Sequence, residues 1–199
     1  MKEGKNGVTA NTPKNILFGA GTIHRGLKYT PGESGGAGTW NFTESIIGAT
    51  SGGSKLSIVP EVTKVEVDGA NVAIKGLSVK TGETATMEIN LIELGADILK
   101  VVTMGKDGTS ADSTFDLIES KPDIEEGDYF ENIAFVGRNL EGKNIIVILN
   151  NALCTSGMEL EGKQKEAGIG TYTFECYADV TGDLETLPWH IYWPKTSQA

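Results

Sequence analysis

The chain has 199 residues, of which 39% are hydrophobic, so it is long enough to bury one sizeable core. Its net charge of −10 argues against a protein that grips nucleic acid by its phosphates, because such binding needs clustered lysine and arginine. No stretch reaches the roughly 20 apolar residues of a membrane helix, and the first residues lack a signal peptide's apolar run, so we expect a protein made in a cytoplasm, without a membrane segment.

The charge is unevenly spread along the chain. Residues 1–59 carry six Lys or Arg against three Asp or Glu, a net of +3, and residues 60–199 carry eleven against twenty-four, a net of −13. Opposite potentials on one molecule steer and orient association, so this division favours head-to-tail contact between copies. The alternative is that the lysines merely keep an extended arm solvated.

The front of the chain is rich in glycine. The first 59 residues hold twelve of the 26 glycines, and such a density costs too much backbone entropy to form a core. We therefore predict an N-terminal arm over residues 1–25, with a first strand near 16–18, and a long loop over 26–56. A loop of that length is usually functional or disordered.

Two aromatic residues, Trp40 and Phe42, lie in the middle of this loop among polar neighbours. A solvated linker rarely carries two aromatic side chains, so we expect both to anchor a partner surface. The alternative is that they fold back onto their own domain.

A period-two pattern begins near residue 57 and marks a β core over 57–180. Val65 and Val67 alternate with charged residues and precede an Asp-Gly pair that favours a tight turn, so we predict a hairpin that returns through 72–74. Residues 84–91 then place apolar side chains on one face and polar ones on the other, which is typical of a half-buried strand.

One helix is predicted, near residues 92–102. Leu94, Ile98 and Val101 are spaced to form an apolar stripe, and Gly105 follows as a stop signal. An apolar stripe on a helix that directly follows a strand needs a surface to cover. We therefore expect this helix to cap the sheet.

Further strands are predicted at residues 129–136, 144–149, 155–161 and 170–178. The second of them is continuously apolar and β-branched from residue 145 to 149, so it should be covered on both faces. A C-terminal arm over 181–199 carries two prolines and three aromatics. We expect it to dock on its own body or on a neighbour.

The sequence contains no motif with defined catalytic or ligand-binding chemistry. Cys154 and Cys176 are too few for a disulfide framework and are predicted to be buried thiols, with a bridge between them as the alternative. His24 and His190 lack the ligand spacing of a metal site. We predict a protein that is not an enzyme and has no catalytic, cofactor-binding or metal site; a triad assembled only in space would leave no such motif.

The run from Val65 to Leu94 reads VEVDGANVAIKGLSVKTGETATMEINLIEL. Its V-D-G-A turn, its K-G-L-x-V-K-x-G-E segment and the alternating strand that runs into a helix resemble the core of the tail tube (major tail) proteins of long-tailed bacteriophages. Residues 15–21 and 139–145 are similar to that family as well. The likeness touches about two-thirds of the chain.

This resemblance implies a β-sandwich or half-barrel with one flanking helix. Six copies would close into a ring, and rings would stack into a tube that conducts DNA without binding it specifically, with the arms and the 26–56 loop bridging successive rings. It further implies no cofactor, a place in the virion tail after assembly in a bacterial cytoplasm, and contacts with a tape-measure protein, a tail terminator and a distal tail protein. The acidic body suits a channel for polyanionic DNA.

Residues for the contacts between rings are expected in the basic front and the C-terminal arm. The candidates are His24, Arg25, Lys28, Trp40, Phe42, Trp189 and Trp193. A competing hypothesis from another class is a monomeric β-sandwich binding module, carbohydrate-binding or adhesin-like, that uses exposed Trp and Tyr as stacking platforms. The two differ in assembly, because only the first predicts rings and filaments.

Overall fold

A computed structural model describes residues 7–33, 36–162 and 164–195. In this part of the chain the fold is mainly β, with antiparallel sheets and one short helix, α1 (Ala96–Val102), as predicted. The strands are β1 (Leu17–Arg25), β2 (Tyr29–Thr30), β3 (Thr39–Trp40), β4 (Thr50–Lys64), β5 (Ser78–Leu91), β6 (Lys106–Asp107), β7 (Ile118–Glu119), β8 (Tyr129–Asn139), β9 (Asn144–Cys154), β10 (Gly170–Cys176) and β11 (Trp189–Tyr192).

Seven of these strands form one antiparallel sheet in the order β1–β8–β9–β10–β5–β4, with β11 paired to β9. The pairs β2–β3 and β6–β7 are separate two-stranded ribbons. The outer strands β1 and β4 contact each other without ladder pairing, so the sheet is strongly curved but does not close. Two strand edges therefore come close together on one side of the molecule.

The main core lies between the curved sheet and α1. In β5, every second residue from Ala85 to Leu91 is fully buried, whereas the residues between them are partly exposed, which confirms the half-buried strand. Ile98, Val101 and Val102 of α1 pack into the same core. The helix therefore covers the sheet as expected from its apolar stripe.

The helix begins at Ala96, four residues later than predicted. Leu91 still pairs with Gly170 in the sheet, and Gly95, in extended backbone at φ −100° and ψ 159°, is the N-cap. Leu94 precedes the helix but packs against the main core all the same. The predicted stripe thus combined one residue of the connection with two of the helix.

β9 is buried on both faces, as predicted for residues 145–149. Leu149 belongs to the main core, whereas Ile146 and Ile148 belong to a second apolar cluster on the opposite face of the sheet. Trp40 and Phe42 pack over this second cluster. The cover that the apolar run requires is therefore supplied by the glycine-rich front of the chain.

Residues 26–33 and 36–49, here called the covering loop, fold back over β8 and β9. Inside the loop, β2 and β3 form a ribbon in which Tyr29 pairs with Trp40. The loop ends sooner than predicted, because β4 begins at Thr50. The β4 glycines at positions 52 and 53 adopt positive φ at an irregularity in the pairing with β5. The covering loop is therefore packed on its own domain in spite of its high glycine content.

β1 spans nine residues, whereas the sequence predicted only a short strand near 16–18. Gly21 has a φ of 69° within an irregularity between Phe18 and Thr22. A Cβ at Gly21 would collide with the ring of Phe135 on the neighbouring β8. Glycine at this position lets β1 and β8 approach each other. A residue type whose abundance predicted an arm outside the core is therefore required inside the sheet.

The outer halves of β4 and β5 form a projecting hairpin, residues 59–82. β10 pairs with β5 only from Thr86 to Leu91, so no other strand of the described chain lies beside the outer part of this ribbon. β4 ends at Lys64, and residues 65–77 form a loop, so the predicted strand pairing through 72–74 is wrong. The residues with the period-two pattern have no neighbouring strand to pair with at this point of the described chain.

Two predictions for the C-terminal third have opposite outcomes. The strand predicted at 155–161 is wrong, because the chain leaves the sheet after the bond from Thr155 N to Thr173 O (2.8 Å). The C-terminal arm docks on its own body, where β11 pairs with residues 146–149 of β9. Residues 1–6 and 196–199 of the two predicted arms lie outside the described residues.

Both cysteines are buried and free, as predicted. The thiol of Cys176 donates to Asn150 O at 3.2 Å, and burial raises its pKa to about 11. This thiol therefore stays protonated at neutral pH, where it is a poor nucleophile.

Candidate assembly surface

The two outer strands of the sheet expose backbone edges. Residues 45–47 of the covering loop bridge β1 at residues 23–25, and the rest of that edge has no strand partner in the described chain. β4 pairs with β5 on one side only. Pro60, which has no N–H to donate, is tolerated in such an edge strand. Long unpaired edges are templates for pairing with another chain.

His24 is buried, at 1% exposure, and fastens the covering loop to β1. Its Nε2 lies 2.8 Å from Thr22 Oγ1, and its Nδ1 lies 2.8 Å from Ser45 Oγ. The Ser45 hydroxyl donates its only proton to Asn41 O at 2.7 Å, so it accepts from Nδ1–H. In that tautomer Nε2 accepts from the Thr22 hydroxyl, which lies nearer to Nε2, at 2.8 Å, than to its other acceptor, Val136 O, at 3.4 Å. A neutral imidazole therefore has a hydrogen-bond partner at each ring nitrogen, and burial lowers the pKa of His24.

This environment places His24 inside its own chain, whereas the sequence assigned it to a contact between copies. Its polar atoms are used within the chain, and almost none of its surface is left for a neighbour. The sequence carried one signal for this role, since Thr22 and His24 are two residues apart and share a strand face. Ser45 could not be identified in the same way because it comes from a distant loop.

Trp40 and Phe42 fold back onto their own domain, which is the alternative that the sequence left open. The Trp40 ring centroid lies 4.9 Å from that of Tyr29 and 5.0 Å from that of Tyr192 in β11. Phe42 meets the His24 ring edge-on at 5.8 Å. The basic front and the C-terminal arm therefore meet through aromatic contacts on one face, where Tyr29 and Tyr192 remain about half exposed.

Arg25 and Lys28 are partly or largely exposed, but each has an acidic partner. Arg25 Nη2 lies 2.6 Å from Asp97 Oδ2, and its guanidinium lies 5.6 Å from the centre of the Phe130 ring. Lys28 Nζ lies 3.5 Å from Glu131 Oε2, with both side chains well exposed. Exposed pairs of this kind contribute only about 0–1 kcal/mol, so they exchange readily for partners on another molecule.

The two tryptophans of the C-terminal arm differ in environment. Trp189 packs against the main core, and its Nε1 donates to Glu83 Oε2 at 3.0 Å. Trp193 is 48% exposed. Of the seven predicted contact residues, Trp193 and Lys28 therefore offer the most surface, whereas Trp189 acts chiefly within its own chain.

Sequence reasoning missed the apolar surface of the projecting hairpin. Its exposed aliphatic side chains are those of Val59, Val62, Val65, Val67, Val72, Ile74 and Val79. Soluble monomers rarely expose so many apolar side chains in one element, and such groups mark interaction sites. The sequence carried no signal for this exposure, because alternating valines have the same pattern in a strand that is covered.

A second apolar surface lies where β1, β4 and β11 come together. A cavity of about 280 Å³, here called the apolar slot, is lined mainly by apolar side chains, with Lys55 also on its wall. Its lining includes Leu17, Leu56, Phe135, Val147, Ile191 and Trp193. Four of these, at positions 17, 56, 191 and 193, are exposed, so the slot opens to solvent beside the free edges of the sheet.

Within residues 7–33, 36–162 and 164–195, no group of three or more His, Cys, Asp or Glu side chains is placed to hold a metal ion. No helix there has the length and apolar character needed to cross a membrane. In comparisons with known proteins, no family model and no curated protein matches the sequence.

Proposed function

We propose that this chain is a structural subunit that assembles with copies of itself into a hollow tube, as in the tail tube of a long-tailed bacteriophage. Six copies close into a ring, and rings stack into a conduit through which DNA passes. The observation that carries this proposal is the projecting hairpin, an element of the sheet that exposes aliphatic side chains along its length. Burying this surface requires another molecule.

The free strand edges support the same proposal. β1 and β4 are the two end strands of the sheet and lie close together on one side of the molecule, so a copy presents two different edges there. Contacts between unlike surfaces are heterologous, and they produce rings when the rotation closes and filaments when it does not. A ring that is closed by such contacts, with open contacts along its axis, gives a tube and removes edges that otherwise invite aggregation.

The distribution of charge and the family resemblance add support. The run from Val65 to Leu94, which resembles tail tube proteins, contains the loop and returning strand of the projecting hairpin and the buried half of β5. Residues 60–199 carry a net charge of −13, which suits a wall past which DNA must slide. On this proposal the tape-measure, tail terminator and distal tail proteins are partners, and the mature subunit resides in the virion tail.

Negative-stain electron microscopy of the purified protein tests this function. We expect hollow filaments or six-membered rings, with analytical ultracentrifugation giving a mass that rises with concentration. A species that stays monomeric at high concentration would reject the proposal. That result, together with retention on immobilised glycans that is lost on Tyr192→Ala, would instead favour the monomeric binding module that stacks sugars on exposed aromatics.

A further inference from the structure

The tip of the projecting hairpin has the pattern of a half-buried strand but no cover. Val65 and Val67 alternate with Lys64, Glu66 and Asp68, yet the two valines are 51% and 48% exposed. Local pattern and environment agree in most folded chains, and disagreements concentrate at functional sites. The alternation therefore fits a strand that acquires its buried face only when another surface is supplied.

The apolar slot is a surface of matching character. Its volume is about 280 Å³ and its lining is mainly apolar, so it can accept aliphatic side chains. It opens beside the unpaired edges of β1 and β4, where an incoming strand can make backbone hydrogen bonds. Main-chain pairing and side-chain burial are thus available at the same place.

The slot cannot receive the tip of its own chain. Leu56, in the slot wall, and Val65, at the tip, are nine positions apart, and pairing with β5 keeps the chain extended from Leu56 as far as Lys64. At about 3.3 Å per residue, they lie roughly 30 Å apart. A tip that enters a slot must therefore come from a second copy.

Side chains of opposite charge lie at the two surfaces, with Lys64 at the tip and Glu88, across the β4–β5 ladder from Lys55, as the exceptions. The tip carries Glu66 and Asp68 next to the two valines, and both acidic residues are exposed. Lys55 lines the slot on β4, and Lys14 lies near the start of β1, where its carbonyl accepts from Asn139. Opposite charges at the rim orient an approaching partner and fix its register.

We propose that residues 63–68 of one copy dock in the apolar slot of the next copy, with Val65 and Val67 buried between β1, β4 and β11 and the acidic residues facing Lys55. This inference rests on the proposed self-assembly and assigns its contacts. The interaction is heterologous, since each copy donates a tip and offers a slot, and it propagates from copy to copy.

Disulfide trapping between two single-cysteine variants tests this contact. Val67→Cys and Lys55→Cys proteins are purified separately, mixed in equal amounts and oxidised mildly, and linked peptides are identified by mass spectrometry. The native thiols are buried and do not compete. The matched control replaces Val67→Cys by Val180→Cys, at a valine that is 83% exposed but outside the hairpin. We expect at least tenfold more of the 67–55 link than of the 180–55 link; equal yields would overturn the docking.

Microscopy of Val65→Asp/Val67→Asp and Val180→Asp separates this inference from the proposed function. Circular dichroism first establishes that each variant keeps the wild-type fold, which is expected because the replaced side chains are exposed. We expect tubes from wild type and Val180→Asp and none from the double variant. Tubes from all three proteins would overturn the docking alone, whereas a wild type that never assembles would overturn the tube and the docking together. Linked pairs without tubes would support the docking and reject the tube.

Discussion

The covering loop is packed on its domain and the projecting hairpin is exposed, which is the opposite of what their sequences predict. The covering loop is rich in glycine and polar residues, yet its Trp40 and Phe42 are packed over β8 and β9. The hairpin, residues 59–82, has alternating valines typical of a sheet, yet it extends beyond the sheet and exposes them. Whether a segment is buried is decided by the apolar surface available to it as well as by its own pattern.

The largest expected effect tests whether the covering loop stays on the sheet in solution. Ile148 lies under the loop and is buried. Ile148→Ala should lower the free energy of unfolding by about 2–5 kcal/mol, measured by urea denaturation, because it leaves a cavity. Val72→Ala, at an exposed tip residue, is the matched control and should change it by less than about 0.5 kcal/mol. Equal effects of the two would mean that the loop leaves this face.

A somewhat smaller effect is expected from the loop's own side chains. Trp40→Ala and Phe42→Ala should each cost about 1–2 kcal/mol, because both side chains are only partly buried. In the double variant, hydrogen exchange should accelerate at the Ile47 amide, which donates to Ile23 O. The Ile89 amide in β5 should keep its protection. Loss of protection at both sites would show that the loop and the sheet unfold together.

The pH dependence of stability should distinguish the two regions as well. Burial holds the pKa of His24 below its ordinary value of 6.5, so the unfolded chain binds the proton more readily. This contribution to stability is complete above pH 6.5 and is lost as the pH falls through the folded-state pKa. The melting temperature should therefore fall from pH 7.5 to 5.5, and less steeply in His24→Asn. If the melting temperatures of wild type and His24→Asn fall equally steeply with pH, protonation of His24 does not cause the loss of stability.

The smallest expected effect concerns the hairpin in the unassembled chain. Val62→Thr should change the free energy of unfolding by less than about 0.5 kcal/mol, because the side chain is already in water. In trypsin digestion of the monomer, the first cuts should follow Lys64 or Lys75, and assembled protein should resist them. A stability loss above about 1 kcal/mol would mean that the hairpin packs on its own domain.

Much of the fold could be predicted wherever a local pattern and its cover lie close together in sequence. The alternation from Ala85 to Leu91 and the stripe of α1 belong to this class, because the helix directly follows the strand. Residues 145–149 indicated that both faces are covered but not which segment covers them. That information is in Trp40, which is more than 100 residues away and follows a run of glycines.

The candidate site was less accessible to prediction. Its aromatic and basic residues were chosen for their chemistry, and the structure places Trp193 at the apolar slot but His24 in the interior. The slot itself combines residues from five strands, β1, β4, β5, β8 and β9, with the C-terminal arm, so no short motif can describe it. The exposure of Val65 and Val67 depends on the absence of a neighbouring strand, which only the topology reveals.

One extra residue in the projecting hairpin sets the direction in which its tip points. The ladder passes from Glu61 opposite Gly82 to Val62 opposite Lys80, so Thr81 has no partner, and its hydroxyl lies 3.1 Å from that of Thr63. A bulge of this kind bends and twists a ribbon. The hairpin therefore bends at Thr81. Insertions or deletions at this position would change the direction of the exposed valines without disturbing the core.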